Sequence, residues 1–152
     1  MEIKTYEELI DWVRNMHGLL ARTLTEGADG NRNEQARALL NYLADHEREL
    51  ERITEEYERQ AAPNTLHTRL YDYLTRSPVK VPDPRDSHFD SLGFDDICRE
   101  IFAFHDRIID IYHSLDEQAI TPETHELVES LRQMETNEAM RLARQLASSQ
   151  DM

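Results

Sequence analysis

The chain has 152 residues, which is enough for one domain with a substantial core, and we expect a single domain over residues 1–152. Asp and Glu outnumber Lys and Arg by 31 to 17, which gives a formal net charge of -14. This charge repels nucleic acid and anionic lipid, so we expect neither as a partner. The sequence contains no apolar run of membrane-spanning length and no signal-peptide pattern at its start, so we expect a cytoplasmic protein.

The first half of the sequence predicts two helices with a short turn between them. Thr5 and Glu8 form a capping box that begins the first helix, and Gly27 is expected to end it. The second helix is expected to begin near Asn33 and to end before Pro63. Because only a few residues separate the two helices, they are predicted to form an antiparallel hairpin.

The second half of the sequence predicts another hairpin of the same kind. Its first helix begins around Gly93, with Asp95 and Asp96 in the first turn, where the helix dipole favours acidic side chains. Its second helix begins with Thr121 as the N-cap and Pro122 as the first helical residue.

A long crossover, residues 61–92, connects the two predicted hairpins. Four apolar residues in it have the spacing of a short helix: Leu66, Leu70, Tyr73 and Leu74. The stretch SPVKVPDPRDSH after them predicts an extended strap, either as a lid over one bundle edge or as a surface for a partner. Two hairpins joined by one long crossover predict an all-α fold, the ferritin-like four-helix bundle.

Polar residues interrupt the apolar stripe of each predicted helix at about mid-height. The interrupting residues that the periodicity places on the core side are His17, His105, Glu135 and Glu138, and on the second helix the seam passes between His46 and Glu47. An isolated buried carboxylate costs several kcal/mol, and no Lys or Arg lies at the same level of any stripe. The carboxylates must therefore be neutralised by protons, by the histidines or by a metal ion.

Imidazole nitrogen together with carboxylate oxygen suits iron, manganese or zinc. The alternative is a buried network of hydrogen bonds between histidines and acids without metal. A different register of the last helix would place Met134 on the seam and turn Glu135 outward.

Two segments resemble helices of a known family. LLNYLADHERELERITEEY, residues 39–57, resembles the second helix of rubrerythrin-like proteins in the ferritin-like superfamily, and LVESLRQMETNEAMRLARQL, residues 127–146, resembles the fourth. The resemblance extends in topology over nearly the whole chain. That family binds two iron ions with one Glu from each of helices one and three, and with a Glu-x-x-His pair from each of helices two and four.

The family's ligand positions are only partly kept in this sequence. Glu47 matches the motif's Glu on helix two, but Leu50 stands where the His would be. On helix four, Glu135 matches the Glu and Glu138 replaces the His.

On helices one and three the resemblance implies an exchange of Glu for His. His105, seven residues before Tyr112, stands at the Glu position of helix three, and His17 stands at that of helix one. Only three of the candidate ligands are acidic, so one ion or an unusual pair is expected in place of the family's two irons.

The resemblance implies a protein that binds iron or another divalent transition metal, that acts as an oxidoreductase or in iron handling, and that forms a homodimer. It does not decide whether the protein is an enzyme, and it names no substrate. The alternative function is a non-catalytic helical scaffold or interaction protein that has lost its metal site.

Overall fold

The computed structural model describes residues 3–70, 81–117, 119 and 121–150. Their regular structure is helical, and the only β feature among them is one isolated bridge between Thr5 and Arg69. The prediction of an all-α helical fold is therefore confirmed. No helix in this part of the chain is long and apolar enough to cross a membrane.

The longer helices follow the predicted order. They are α1 (Tyr6–Gly30), α2 (Glu34–Gln60), the short α3 (Pro63–Leu66), α4 (Phe94–Glu117) and α5 (Pro122–Gln150). Two 3-10 helices, Pro84–Ser87 and Phe89–Ser91, precede α4. Backbone contacts group the chain into two compact units, Met1–Ile101 and Phe102–Met152, and the border falls inside α4. The expectation of one domain over residues 1–152 stays a prediction.

The predicted helix starts agree with the observed caps. The Thr5 hydroxyl accepts a hydrogen bond from the Glu8 amide at 3.2 Å, and Asn33 accepts one from the Ala36 amide at 3.0 Å. Thr121 accepts one from the Thr124 amide at 3.2 Å, directly before α5. Each cap satisfies a backbone amide that the first helical turn leaves without a partner.

The predicted end of α1 at Gly27 is wrong, because the helix continues to Gly30 and is capped by Asn31. Gly27 has a packing role instead: a Cβ added there would lie 2.6 Å from the Cβ of Phe89. The Asn31 side-chain amide donates to the carbonyl oxygens of Phe89 and Leu92, both at 3.0 Å. The glycine therefore marks a close approach of the crossover to α1 and does not terminate the helix.

In the first unit, α1 and α2 form the predicted antiparallel hairpin. Their shared core contains the fully buried apolar residues Leu9, Ile10, Val13, Leu20, Leu24, Leu40, Leu43 and Leu50. After α3 the chain returns to the start of α1, where the Leu70 amide donates to the Lys4 carbonyl at 2.8 Å and the Tyr6 amide donates to Thr68 at 3.1 Å. These two bonds tie the beginning of α1 to the segment that follows α3.

The crossover differs from its prediction. Its short helix is Pro63–Leu66, earlier than the predicted one, and Tyr73 and Leu74 lie outside the described residues. Pro84 begins a 3-10 helix where an extended strap was expected. The reason is local: proline has the backbone angle of a first helical residue, and Asp83 caps the turn by accepting from the Arg85 amide at 2.9 Å.

The second unit contains most of α4 and all of α5. Buried apolar residues from both helices form its core, including Phe104, Ile108, Leu115, Val128, Leu131 and Leu142. At the turn between the helices, His125 Nδ1 on α5 lies 2.6 Å from Asp116 Oδ1 on α4. The second predicted hairpin is therefore also present.

Candidate metal centre

His17 and Glu47 meet inside the first unit. His17 faces α2 from the middle of α1, and both side chains are 0% exposed. Nδ1 of His17 lies 2.6 Å from Oε2 of Glu47. The structure thus brings together two of the five predicted site residues in one short hydrogen bond, in a position that water does not reach.

The chemistry of this pair follows from the shared bond. With Nδ1 as the donor, the acceptor nitrogen of the His17 ring is Nε2. Histidines that bind metals commonly donate their other ring N–H to a carboxylate, which orients the ring and increases its basicity. The same bond also lets an imidazole and a carboxylate neutralise each other without metal. The imidazole and the carboxylate therefore suit a transition metal, and they also suit a hydrogen-bonded pair without metal.

The second unit buries a similar set of groups. His105 on α4 and Glu135 on α5 are each 1% exposed, and the Tyr112 side chain is fully buried. The register that places Glu135 inside is the observed one, and its neighbour Met134 is buried as well. Burial and then the negative charge of Glu135 raise the pKa of Tyr112 well above its usual value. The Tyr112 hydroxyl has no hydrogen-bond partner among the described residues.

Glu138 is in a different environment from the other four predicted residues. Its side chain is 21% exposed, and its carboxylate lies 3.8 Å from the Arg141 guanidinium one turn later on α5. The guanidinium already compensates part of its charge. Glu138 would have to turn away from Arg141 to bind a metal ion.

An acidic cluster on the first hairpin was not among the sites predicted from the sequence. Carboxylate oxygens of Glu7, Asp11 and Glu58 all lie within 4.8 Å of one another. Burial, and next a hydrogen bond with Asp11, raises the pKa of Glu58 to about 7. Arg14 lies 3.2 Å from Asp11 and 3.8 Å from Glu58, so a cation is present at the edge of the cluster.

The spacing of Glu7 and Asp11 places both on one side of α1, and this could have been read from the sequence. The position of Glu58 opposite them could not, because it depends on how α2 is aligned against α1.

No protein-family model matches the chain, and comparisons with curated proteins and with solved structures gave no match either. The resemblance to rubrerythrin-like proteins therefore depends on the residues of α2 and α5 quoted above.

Proposed function

We propose that the protein is a ferritin-like metal-binding protein that holds a divalent transition metal, iron or manganese, through its buried histidines and glutamates. The observation that carries this proposal is the His17–Glu47 pair, two fully buried donors joined at 2.6 Å. The other proposed ligands are His105, Glu135 and Glu138. The two antiparallel hairpins are the parts from which a ferritin-like bundle is built, which supports the proposed fold family.

Charge and burial favour a cation in this role. A buried carboxylate without compensation costs several kcal/mol, and a metal ion or a proton can compensate it. Imidazole and carboxylate together suit iron, manganese and zinc, whereas magnesium and calcium prefer oxygen ligands alone. A histidine whose ring is oriented by a carboxylate has the arrangement that such ligands usually have.

The resemblance extends the proposal to reactivity. Bound ferrous iron with an open coordination position would supply chemistry with oxygen or peroxide, so an oxidoreductase or iron-handling role is part of the proposal. Tyr112 contributes the buried hydroxyl nearest in sequence to His105 on the same helix face. The ordinary pKa of a tyrosine already lies above neutral pH and that of Tyr112 is raised further, so this hydroxyl keeps its proton and can donate a hydrogen bond.

A non-catalytic scaffold is the second candidate, and the same pair gives the reason. The bond between His17 and Glu47 joins an imidazole to a carboxylate without any ion. In that case hydrogen bonds of the buried histidines and glutamates fix the packing of the helices within each hairpin.

Counting metal in the purified protein distinguishes the two candidates. The full chain would be produced in medium with added iron and manganese, purified without chelator and analysed by elemental mass spectrometry. The proposal expects at least one ion per chain and a higher melting temperature when metal is added. Substoichiometric metal together with an unchanged melting temperature would exclude it in favour of the scaffold.

Three variants identify the ligands. His17→Ala and His105→Ala are each expected to lower the metal content, while His113→Ala is the matched control, since that imidazole lies on α4 and is 62% exposed. Circular dichroism of each variant checks that the helices remain. Full metal content in both buried variants would show that these histidines bind no metal.

A further inference from the structure

Helix α1 has a second apolar face on the side opposite its core. Trp12, Met16 and Leu19 are half-buried there, and Asn15 is exposed between them. Together with flanking charged residues they line an open groove with a volume of about 500 Å³. A surface helix normally carries polar residues on the side away from its core, so this face has the composition of a contact surface.

The spacing along this face is that of a helix–helix seam. Its central positions are Glu8, Trp12, Asn15, Leu19 and Arg22, which follow one another at alternating intervals of four and three residues. Alternation of four and three is the heptad spacing by which one helix packs along another. The natural occupant of the groove is therefore another helix.

The order of residues along the seam indicates which helix that is. Acidic Glu8 lies at one end and basic Arg22 at the other, Asn15 is midway, and Trp12 and Leu19 lie on either side of it. If the same helix is laid against it in the opposite direction with Asn15 opposite Asn15, Glu8 lies opposite Arg22, and Trp12 lies within one residue of the position opposite Leu19. A seam that is complementary to itself when reversed suits a two-fold interface.

We propose that this face of α1 is a homodimer interface in which the α1 helices of two copies pack antiparallel, with the two-fold axis next to Asn15. The Trp12 and Leu19 side chains supply its apolar contacts. The Glu8–Arg22 pairs and the Asn15 pair fix direction and register, because a reversed or shifted pairing would leave the charges unmatched and the amide facing apolar side chains. Such a dimer needs no metal at the buried histidines.

The size of the interface predicts its strength. A stable interface usually buries about 800 Å² on each partner, and a single helix-to-helix seam is at the lower end of that range. We therefore expect a concentration-dependent dimer, measurable by sedimentation equilibrium of the full chain. A monomer throughout the accessible concentration range would overturn the proposal.

One pair of variants tests the face. Leu19→Lys is expected to raise the dissociation constant by at least about tenfold, because the two-fold axis introduces the charge twice into the apolar part of the seam. Met140→Lys is the matched control, since Met140 on α5 is an apolar side chain that is 55% exposed and lies outside the seam. A dimer that Leu19→Lys leaves intact would show that another surface is used.

Cysteine cross-linking tests the direction, in a background where the single native Cys98 is replaced by alanine. Asn15→Cys is expected to form a disulfide-linked dimer under mild oxidation, since residues beside the axis face each other. Glu8→Cys is not expected to form this disulfide, because in an antiparallel pair the two Glu8 positions lie about 21 Å apart along the helix. Cross-linking through both positions would indicate parallel helices, and through Glu8→Cys alone a different register; either result overturns the proposal.

Discussion

The hairpins α1–α2 and α4–α5 place the same two residue types at corresponding positions. Glu47 follows His17 by 30 residues, and Glu135 follows His105 by the same interval. The same shift between the two hairpins also matches buried apolar residues about one helical turn from these side chains. Val13 corresponds to Ile101, Leu20 to Ile108, and Leu43 to Leu131. Each hairpin therefore surrounds one imidazole and one carboxylate with the same apolar frame.

The hairpins differ in the positions next to that pair. Leu24 of the first corresponds to Tyr112 of the second, and Leu50 corresponds to Glu138. At these two positions the first hairpin has leucines beside the His17–Glu47 bond, whereas the second has a hydroxyl and a half-buried carboxylate. The polar content of these matching positions therefore differs between the hairpins through individual side chains.

The largest expected effect comes from breaking the pair in the first hairpin. His17→Leu leaves the Glu47 carboxylate buried without its imidazole, and Glu47→Leu leaves the imidazole without its carboxylate. Each change is expected to lower the free energy of unfolding by about 3–5 kcal/mol. The double change is expected to cost much less, because two leucines bury no charge. Denaturant unfolding of the metal-free protein measures all three.

Arg52→Leu is the control for this cycle. Arg52 lies on the exposed side of α2 and pairs with Glu49, so its loss should leave the unfolding midpoint unchanged. If the double variant lost as much free energy of unfolding as the two single variants together, His17 and Glu47 would not be coupled, and this result would contradict the prediction.

The next effect concerns Gly27, whose counterpart in the second hairpin is the buried Leu115. Gly27→Ala places a methyl group 2.6 Å from Phe89 Cβ, and overpacking of this kind exceeds the gain in helix propensity, for a net loss of about 1–2 kcal/mol. Gly93→Ala is the control, because a methyl group there meets no atom of the described residues within 4 Å. Thermal unfolding compares the two, and equal midpoints would show that Phe89 moves aside at no cost.

Local signals in the sequence were sufficient for much of this structure. The caps at Thr5, Asn33 and Thr121 and the two short turns depend on residues within a few positions of each other, so the hairpins could be predicted. Periodicity also placed His17 and Glu135 on buried faces. The end of α1 could not be predicted, because the reason for Gly27 is Phe89, which lies far along the chain.

The candidate metal site could be predicted only in part, because it too depends on residues that are far apart in the sequence. Spacing identifies the face of a helix, but it does not decide whether a side chain at the edge of that face turns in or out. Glu138 is such a residue: its side chain is 21% exposed and its carboxylate lies 3.8 Å from the Arg141 guanidinium. The bond between His17 and Glu47 likewise requires the alignment of α2 against α1, which no local pattern contains.

The smallest expected effect comes from Glu58, whose counterpart in the second hairpin is the buried Leu146. The first hairpin thus carries a carboxyl group, 17% exposed, where the second carries a leucine. The pKa of Glu58 is raised from 4.5 to about 7 in the folded chain, by burial and then by Asp11. Between these pH values the folded state keeps a proton that the unfolded state has released, so the free energy of unfolding falls as the pH rises.

Glu58→Gln should remove this pH dependence, since an amide keeps the hydrogen bond to Asp11 without titrating. We expect the natural chain to lose about 1 kcal/mol of stability between pH 5 and pH 8 through this group, after allowance for solvent screening, and the variant to lose correspondingly less. Denaturant unfolding at both pH values measures the difference, with Glu55→Gln as an exposed control on the same helix. An equal decrease in Glu58→Gln would assign the pH dependence to other groups. A smaller decrease in Glu58→Gln would show that ionisation of Glu58 destabilises the first hairpin at neutral pH. The second hairpin avoids this loss because it has Leu146 at the corresponding position.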